Sequence, residues 1–461
     1  MKKILLSSLI LLICISMLAT FSLVGCKTTT TTITTANSQD TSTQKDTKDT
    51  STQKDTNQKV ILTLTTISGP NGDRLDAEAN AFMEKNPNVE IKVIRYADMQ
   101  YEEQGPRLFL SKDKPDIAWY WADKWYHKIV ESGALVPLDD LYQSEGWDKV
   151  LAKATLEQYT SPDGKKYAVN VDVLFASLIF YNKKIFAEIG VEPPKTFQDL
   201  YAIGDKLKAK GYIPLVMGVG ERFIAGHLFD ALLSRSVDND KFLKLLDRSK
   251  KYDDINYTSP EVIDAWKTMK DVNDKLFAKG MVGVKDQEAR GLFVQGKAAM
   301  YSHISSAAGS SKLGKELPQD FELGTFFYPQ LKDNIKPTAS IYAGTALMVL
   351  KGTGKEDWAK KFVAFVMTHE RQAELAKNKM LFPSRTDMKP EEIELMGKVY
   401  VDMYKEVQDI GAMLMWDGDI DADLGNTAFQ LDQAVMSGQK TPEQAGKELE
   451  EKFESMLSEN K

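Results

Sequence analysis

The amino-acid sequence predicts an α/β fold with at least two lobes, on three observations. From Val60 onward, short β-branched runs alternate with stretches whose apolar residues recur at helical spacing, the pattern that builds a largely parallel sheet. The chain is 461 residues long, too long for one ordinary hydrophobic core. Hydrophobic residues make up 43 % and charged residues 27 %, which excludes collagen-like, mucin-like and wholly disordered chains. The formal net charge is −7. That argues against nucleic acid as a partner, because phosphate binding needs a basic field.

The first segment sorts the chain into a compartment. Lys2 and Lys3 precede an uncharged apolar run, Ile4 to Gly25, which reads as an export signal over residues 1–25. Its end, Leu23-Val24-Gly25-Cys26, resembles the lipobox of bacterial lipoproteins. The resemblance implies cleavage before Cys26 and lipidation of its sulfur. Cleavage would remove Cys14 and leave Cys26 as the only thiol, so neither an internal disulfide nor a thiolate nucleophile is expected. Residues 26–59 are rich in Thr, Ser, Gln, Lys and Asp, and one octapeptide stands at both 40–47 and 49–56. Such composition cannot bury enough surface to order itself. It reads as a flexible tether spanning roughly 30 Å.

The folded elements follow in order. Val60 to Thr66 is a strand by its β-branched content, and Ser68 to Asp73 a turn. Arg74 to Lys85 carries Leu75, Ala79, Phe82 and Met83 at helical spacing, until Asn86-Pro87-Asn88 stops it. Val89 to Ile94 is a strand, then come a helix through Leu108, a strand over 115–119 and a helix over 123–131. Ligands of such sheets bind beyond the carboxyl ends of the strands, which puts Ser68 and the stretch 119–123 on one rim. Ser161 to Lys165 reads as a hairpin turn, Leu178 to Tyr181 as a strand, and Lys183 to Glu188 as a helix. Thr196 caps a helix to Lys208, residues 240–279 read as helical, and the chain from Pro390 reads as helical almost throughout.

Four blocks carry a family resemblance. Phe180-Tyr181-Asn182-Lys183-Lys184, followed by Gly190 and Pro193-Pro194-Lys195-Thr196-Phe197, resembles the signature of extracellular sugar-binding proteins of ABC importers. Phe293 to Met300 is similar to a second block, Gly344 to Arg385 to a third, and Ala434 to Ala445 to a fourth. They cover most of 60–461 in the family's order, that of the maltose-binding-protein-like solute-binding proteins, family 1. The resemblance implies a two-lobed, type II periplasmic-binding-protein-like fold with the ligand cleft between lobes. Carried over, lobe one is 60–172 plus 340–388 and lobe two is 173–339 plus 389–461. It also implies a function: a lipid-anchored receptor on the outer face of the bacterial cytoplasmic membrane. It would capture a carbohydrate, an oligosaccharide, and deliver it to ABC transporter permease subunits. No enzyme activity, cofactor or metal is expected, and the chain is expected to be a monomer.

Sugars present hydroxyl edges and apolar C–H faces, so aromatic platforms and bidentate polar side chains are the residues to seek. The stretch 115–125 concentrates them and resembles maltose-binding proteins, which puts Asp123 on sugar hydroxyls beside Trp121 or Tyr120. The alternatives are an N-cap role for Asp123 and core positions for about half of Trp119, Tyr120 and Trp121, because strand residues alternate faces. Asp172 stands at the first expected crossover and Tyr342 at the second. Trp416 and Asp417 lie in a Gly- and Asp-rich loop fit for a lid platform, and Arg222 follows a Gly-rich loop. His303 stands where maltose-binding proteins carry Asn, and Ser306 where they carry an aromatic. One stacking platform is therefore missing or supplied elsewhere, and His303 is either a replacement hydrogen-bonding group or a structural histidine.

Three chemical motifs fail. Gly291 to Ala298 lacks the hydroxyl of a phosphate loop after Lys297. Asp417 to Asp423 resembles a calcium loop, yet Ala422 replaces its Gly and Ala428 its Glu. The four histidines form no zinc motif. A secreted glycoside hydrolase is the competing class, but nothing selects a carboxylate pair from the 66 acids. A binder of a non-sugar solute such as a peptide is the other alternative.

Overall fold

The computed structural model describes residues 59–121, 126–176, 178–247, 249–309, 312–342, 345–377 and 381–459. Cys26, the tether and Asp123 lie outside these. Thirteen strands follow among the described residues: β1 (Val60–Ile67), β2 (Val89–Tyr96), β3 (Ile117–Trp121), β4 (Ala168–Asn170), β5 (Asp172–Phe175), β6 (Leu178–Asn182), β7 (Ile213–Val216), β8 (Ala298–His303), β9 (Leu323–Phe327), β10 (Ala339–Tyr342), β11 (Thr345–Val349), β12 (Phe382–Pro383) and β13 (Ala412–Leu414).

They form three sheets. The first runs β2-β1-β3-β11-β4. β1 pairs in parallel with both β2 and β3, while β11 is antiparallel and sets Thr345 opposite Trp121. The helix Pro70–Lys85 packs Leu75, Ala79 and Phe82 into the first core. It begins at Pro70, four residues before the expected start, because proline's fixed φ suits the first helical position. Gly69 supplies the φ of 87° that the turn out of β1 requires.

The third sheet runs β7-β8-β6-β9. Asn182 caps the helix Lys183–Glu188 by accepting from the amides of Lys184 and Ile185. Thr196 and Asp199 form a capping box that starts the helix Phe197–Ala209. The helix Arg222–Ser236 runs through the interior, and from Ile224 onward only His227 is not fully buried. The expected helical span 240–279 is two helices, Asn239–Leu246 and Pro260–Leu276, the second again opened by proline. The C-terminal part is helical as expected, apart from β13.

The second sheet runs β12-β5-β10-β13 and is built where the chain crosses over. A single residue, Val171, separates β4 from β5. One hydrophobic core draws on 62–171 and 346–367, the other on 173–341 and 376–453. The second includes Ala376, Phe382 and Met388, which the expected division gave to the first lobe. The reason is Phe382, whose ring lies 4.4 Å from that of Phe175 and 5.4 Å from that of Tyr400. Among the described residues no helix is long and apolar enough to cross a membrane.

Candidate functional site

The carboxyl ends of β1 and β3 make one rim. Ser68 is exposed there, its amide donating to the Tyr96 carbonyl at 2.8 Å. Trp121, the last residue of β3, is half-buried, with ring centroids of Trp119 at 5.4 Å and Tyr101 at 6.1 Å. Tyr120 is wholly buried, its hydroxyl donating to the Glu102 carbonyl at 2.6 Å. This corrects its candidacy as a ligand platform. An interior strand of a sheet covered on both faces buries consecutive residues, so Trp119 and Tyr120 are both core.

At the first crossover Asp172 is 1 % exposed. One carboxylate oxygen receives Arg74 Nη1 at 2.6 Å and the other Thr345 Oγ1 at 2.5 Å. Asp172 therefore ties the crossover to the helix Pro70–Lys85 and to β11, a structural role that replaces the ligand role expected of it. Arg74 is also buried, and its Nε and Nη2 have no hydrogen-bond partner. At the second crossover Tyr342 is half-buried, opposite Leu174 in the register. Gly418 runs close beside it, since a Cβ there would lie 3.1 Å from the Tyr342 ring.

The ends of β7 and β8 make a second rim. Arg222 and Phe223 open their helix in exposed positions, and Phe223 is 47 % exposed. Its ring stands 5.5 Å from that of His227, edge-on, with 71° between the two planes. Burial, then the nearby His303 and Lys312, push His227 down to about 3. His303 is buried, and desolvation followed by the Lys312 charge holds it well below its ordinary value, so the ring is neutral. Its Nδ1 accepts from the Ile304 amide at 2.9 Å, which leaves the proton on Nε2, 3.5 Å from Asp286 Oδ1. His303 is thus held by its own turn and by Asp286, the structural alternative. Asp286 also receives Arg290 at 2.6 Å and the Tyr301 hydroxyl at 2.5 Å.

Trp416 is wholly buried, with Phe229 at 5.5 Å and Tyr257 at 5.8 Å, both edge-on. This corrects the expected lid platform. The buried carboxylate of Asp230 accepts the Trp416 amide and pulls the short helix Trp416–Asp419 into the core. Asp417 is half-buried beside it. Asp421 spends its carboxylate on the amide of Asp423 at 2.8 Å, capping the helix Ala422–Met436. Among the described residues no cluster of histidine, cysteine and acids is fit for a metal.

Of the expected site residues, Ser68, Trp121, Arg222, Tyr342 and Asp417 keep some exposure, while Tyr120, Asp172, His303 and Trp416 are interior. Sequence reasoning missed Arg74, Phe223 and His227. The available signal for Phe223 was its neighbour: a Gly-rich loop after a strand, opening a helix with an aromatic.

A family model described as bacterial extracellular solute-binding protein matches residues 68–373. An uncharacterised ABC transporter extracellular-binding protein of Pyrococcus horikoshii is 30 % identical over 36 % of this chain and 38 % of its own. The chain spans only 24 % and 26 % of two further relatives, probable sugar-binding periplasmic proteins of Mesorhizobium japonicum and Rhizobium meliloti. The diacetylchitobiose binding protein DasA of Streptomyces coelicolor is 24 % identical over 70 % of this chain and 73 % of its own. Among solved structures, a chitin oligosaccharide binding protein superposes with a TM-score of 0.73 at 20 % identity, over 87 % of this chain and 100 % of that one. The architecture is the two-lobed periplasmic-binding type expected from the sequence.

Proposed function

The chain belongs to the bacterial extracellular solute-binding proteins, receptors rather than enzymes, and from that premise we infer that it is the substrate-binding lipoprotein of an ABC importer. It captures a carbohydrate, an oligosaccharide, between two lobes by aromatic stacking and hydroxyl hydrogen bonds, and delivers it to the membrane permease. Lobe one is built on the first sheet, lobe two on the third, and Cys26 carries the lipid anchor. The observation that carries the carbohydrate reading is Phe223. It is the one exposed large aromatic among the described residues. It stands beside the neutral imidazole of His227, while Trp121 supplies a half-buried ring on the other rim. A flat apolar ring with neutral polar neighbours suits a pyranose, whose C–H face stacks while its hydroxyls bond at the edge. The names of the relatives, which bind diacetylchitobiose and chitin oligosaccharides, agree.

The test is a thermal-shift screen of the purified chain against maltotriose, cellotriose, diacetylchitobiose and a mixed tripeptide library, followed by calorimetry. The reading expects saturable stabilisation by at least one saccharide, with the sugar recovered unhydrolysed. Stabilisation by peptides alone would overturn it.

A further inference from the structure

We propose that the Nε–Nη2 edge of Arg74 clamps two adjacent hydroxyls of a neutral saccharide. The proposal rests on the carbohydrate reading above and deepens it. Arg74 is 8 % exposed and Nη1 is committed to Asp172 at 2.6 Å, yet Nε and Nη2 have no partner. Those two nitrogens lie on one edge of the planar guanidinium, and their N–H bonds form a fork that accepts two oxygens side by side. Buried donors are seldom left unpaired, because each loses its water without replacement.

The position is that of a ligand group. Arg74 lies in the second turn of the helix that opens past Ser68, at the carboxyl end of β1. The same Asp172 that holds it also receives Thr345, which stands opposite the half-buried Trp121. A fork and an aromatic ring therefore converge on one rim. Charge decides the ligand's chemistry. The Arg74 and Asp172 charges already cancel, so a carboxylate on the fork would leave the shielded group with net negative charge, whereas a diol leaves it neutral. The fork is shielded from solvent, so hydroxyls reach it in an open state and are enclosed as the lobes close.

The experiment measures binding of maltotriose, cellotriose, diacetylchitobiose and trigalacturonate to the full chain and to Arg74→Lys. The lysine keeps a cation for Asp172 and removes the fork. We expect a neutral saccharide to bind, Arg74→Lys to weaken it at least about ten-fold, and the unliganded melting temperature to change little. A second arm needs no variant: in monodeoxy analogues of the bound sugar, loss of either of two neighbouring hydroxyls should weaken binding by a similar factor. Unchanged affinity in Arg74→Lys, or deoxy analogues with no adjacent pair standing out, overturns the clamp while leaving the carbohydrate reading intact. Tighter binding of trigalacturonate than of every neutral sugar overturns the charge argument. If no saccharide binds the unaltered chain, the carbohydrate reading fails and the clamp with it.

Discussion

Trp416 and Phe223 reverse the roles that residue type alone suggests. Trp416 sits among Phe229 and Tyr257 with no exposure, so Trp416→Ala should destabilise the fold by about 3–5 kcal/mol, read as a lower urea midpoint. Phe223→Ala removes a ring that solvent already touches. It should leave that midpoint nearly unchanged and weaken saccharide binding by about 1–3 kcal/mol. Equal loss of stability in both variants would refute the distinction. Titration separates two further residues. Burial pushes Asp432 well above the ordinary carboxylate value, against the Trp266 indole that donates to it at 2.7 Å. Burial likewise pushes Asp230 up to about 7, opposed by the Trp416 amide, Ser340 and Arg235. Both folded-state values lie above the unfolded one, near 4. Their stabilisation is therefore complete below about pH 4 and is lost as pH rises through each folded-state value, about 7 for Asp230. Asp432→Asn keeps an acceptor for Trp266 but cannot ionise. It should cost less stability at pH 8 than at pH 5, and an equal cost at both would count against the buried, neutral Asp432.

Helix Arg222–Ser236 shows what an element needs beyond periodicity. It is buried on nearly every side, so its sequence carries no amphipathic stripe and its boundaries were not legible. The elements from Val60 to Leu110 were legible, because β-branched runs mark the strands and apolar residues at helical spacing mark the helix between them. β13 was not, since three residues between helices have no period to read. The candidate site was legible as a place, at strand ends, and less so as a set of side chains. Alternation along a strand says which residues share a face, but not whether both faces are covered, and that is why Tyr120 was misassigned. Close approach leaves a sharper test. A Cβ on Gly226 would fall 2.2 Å from Phe429 Cε1, on the helix Ala422–Met436. Gly→Ala inside a helix ordinarily stabilises by about 0.5–1 kcal/mol, but Gly226→Ala should instead destabilise by about 1–3 kcal/mol through overpacking. Adding Phe429→Ala should cost less than the sum of the two single changes, and strict additivity would place the two helices apart.

At the scale of the whole molecule, the function proposed needs the two lobes to move. On that proposal each rim would hold part of the site and a closed form would complete it, so ligand should shift an open–closed balance by its differential affinity. Small-angle scattering should record a smaller radius of gyration on saturation with the bound saccharide, and no change would sink the hinge. The anchor is tested separately: Cys26→Ala should release the protein from membranes with its saccharide affinity unaltered. Strand order has a consequence of a different kind, for when the chain can fold. β11 is interior to the first sheet, between β3 and β4, yet it arrives more than two hundred residues after β3 in sequence. A nascent chain lacking residues 345–349 has an unfilled slot between those strands, with two exposed edges and no completed core. Long-range insertion of that sort is slow. It delays the finished sheet until about three-quarters of the chain, through residue 349 of 461, has been made. Residues 59–340 made alone should accordingly show no cooperative melting of the first sheet by hydrogen exchange.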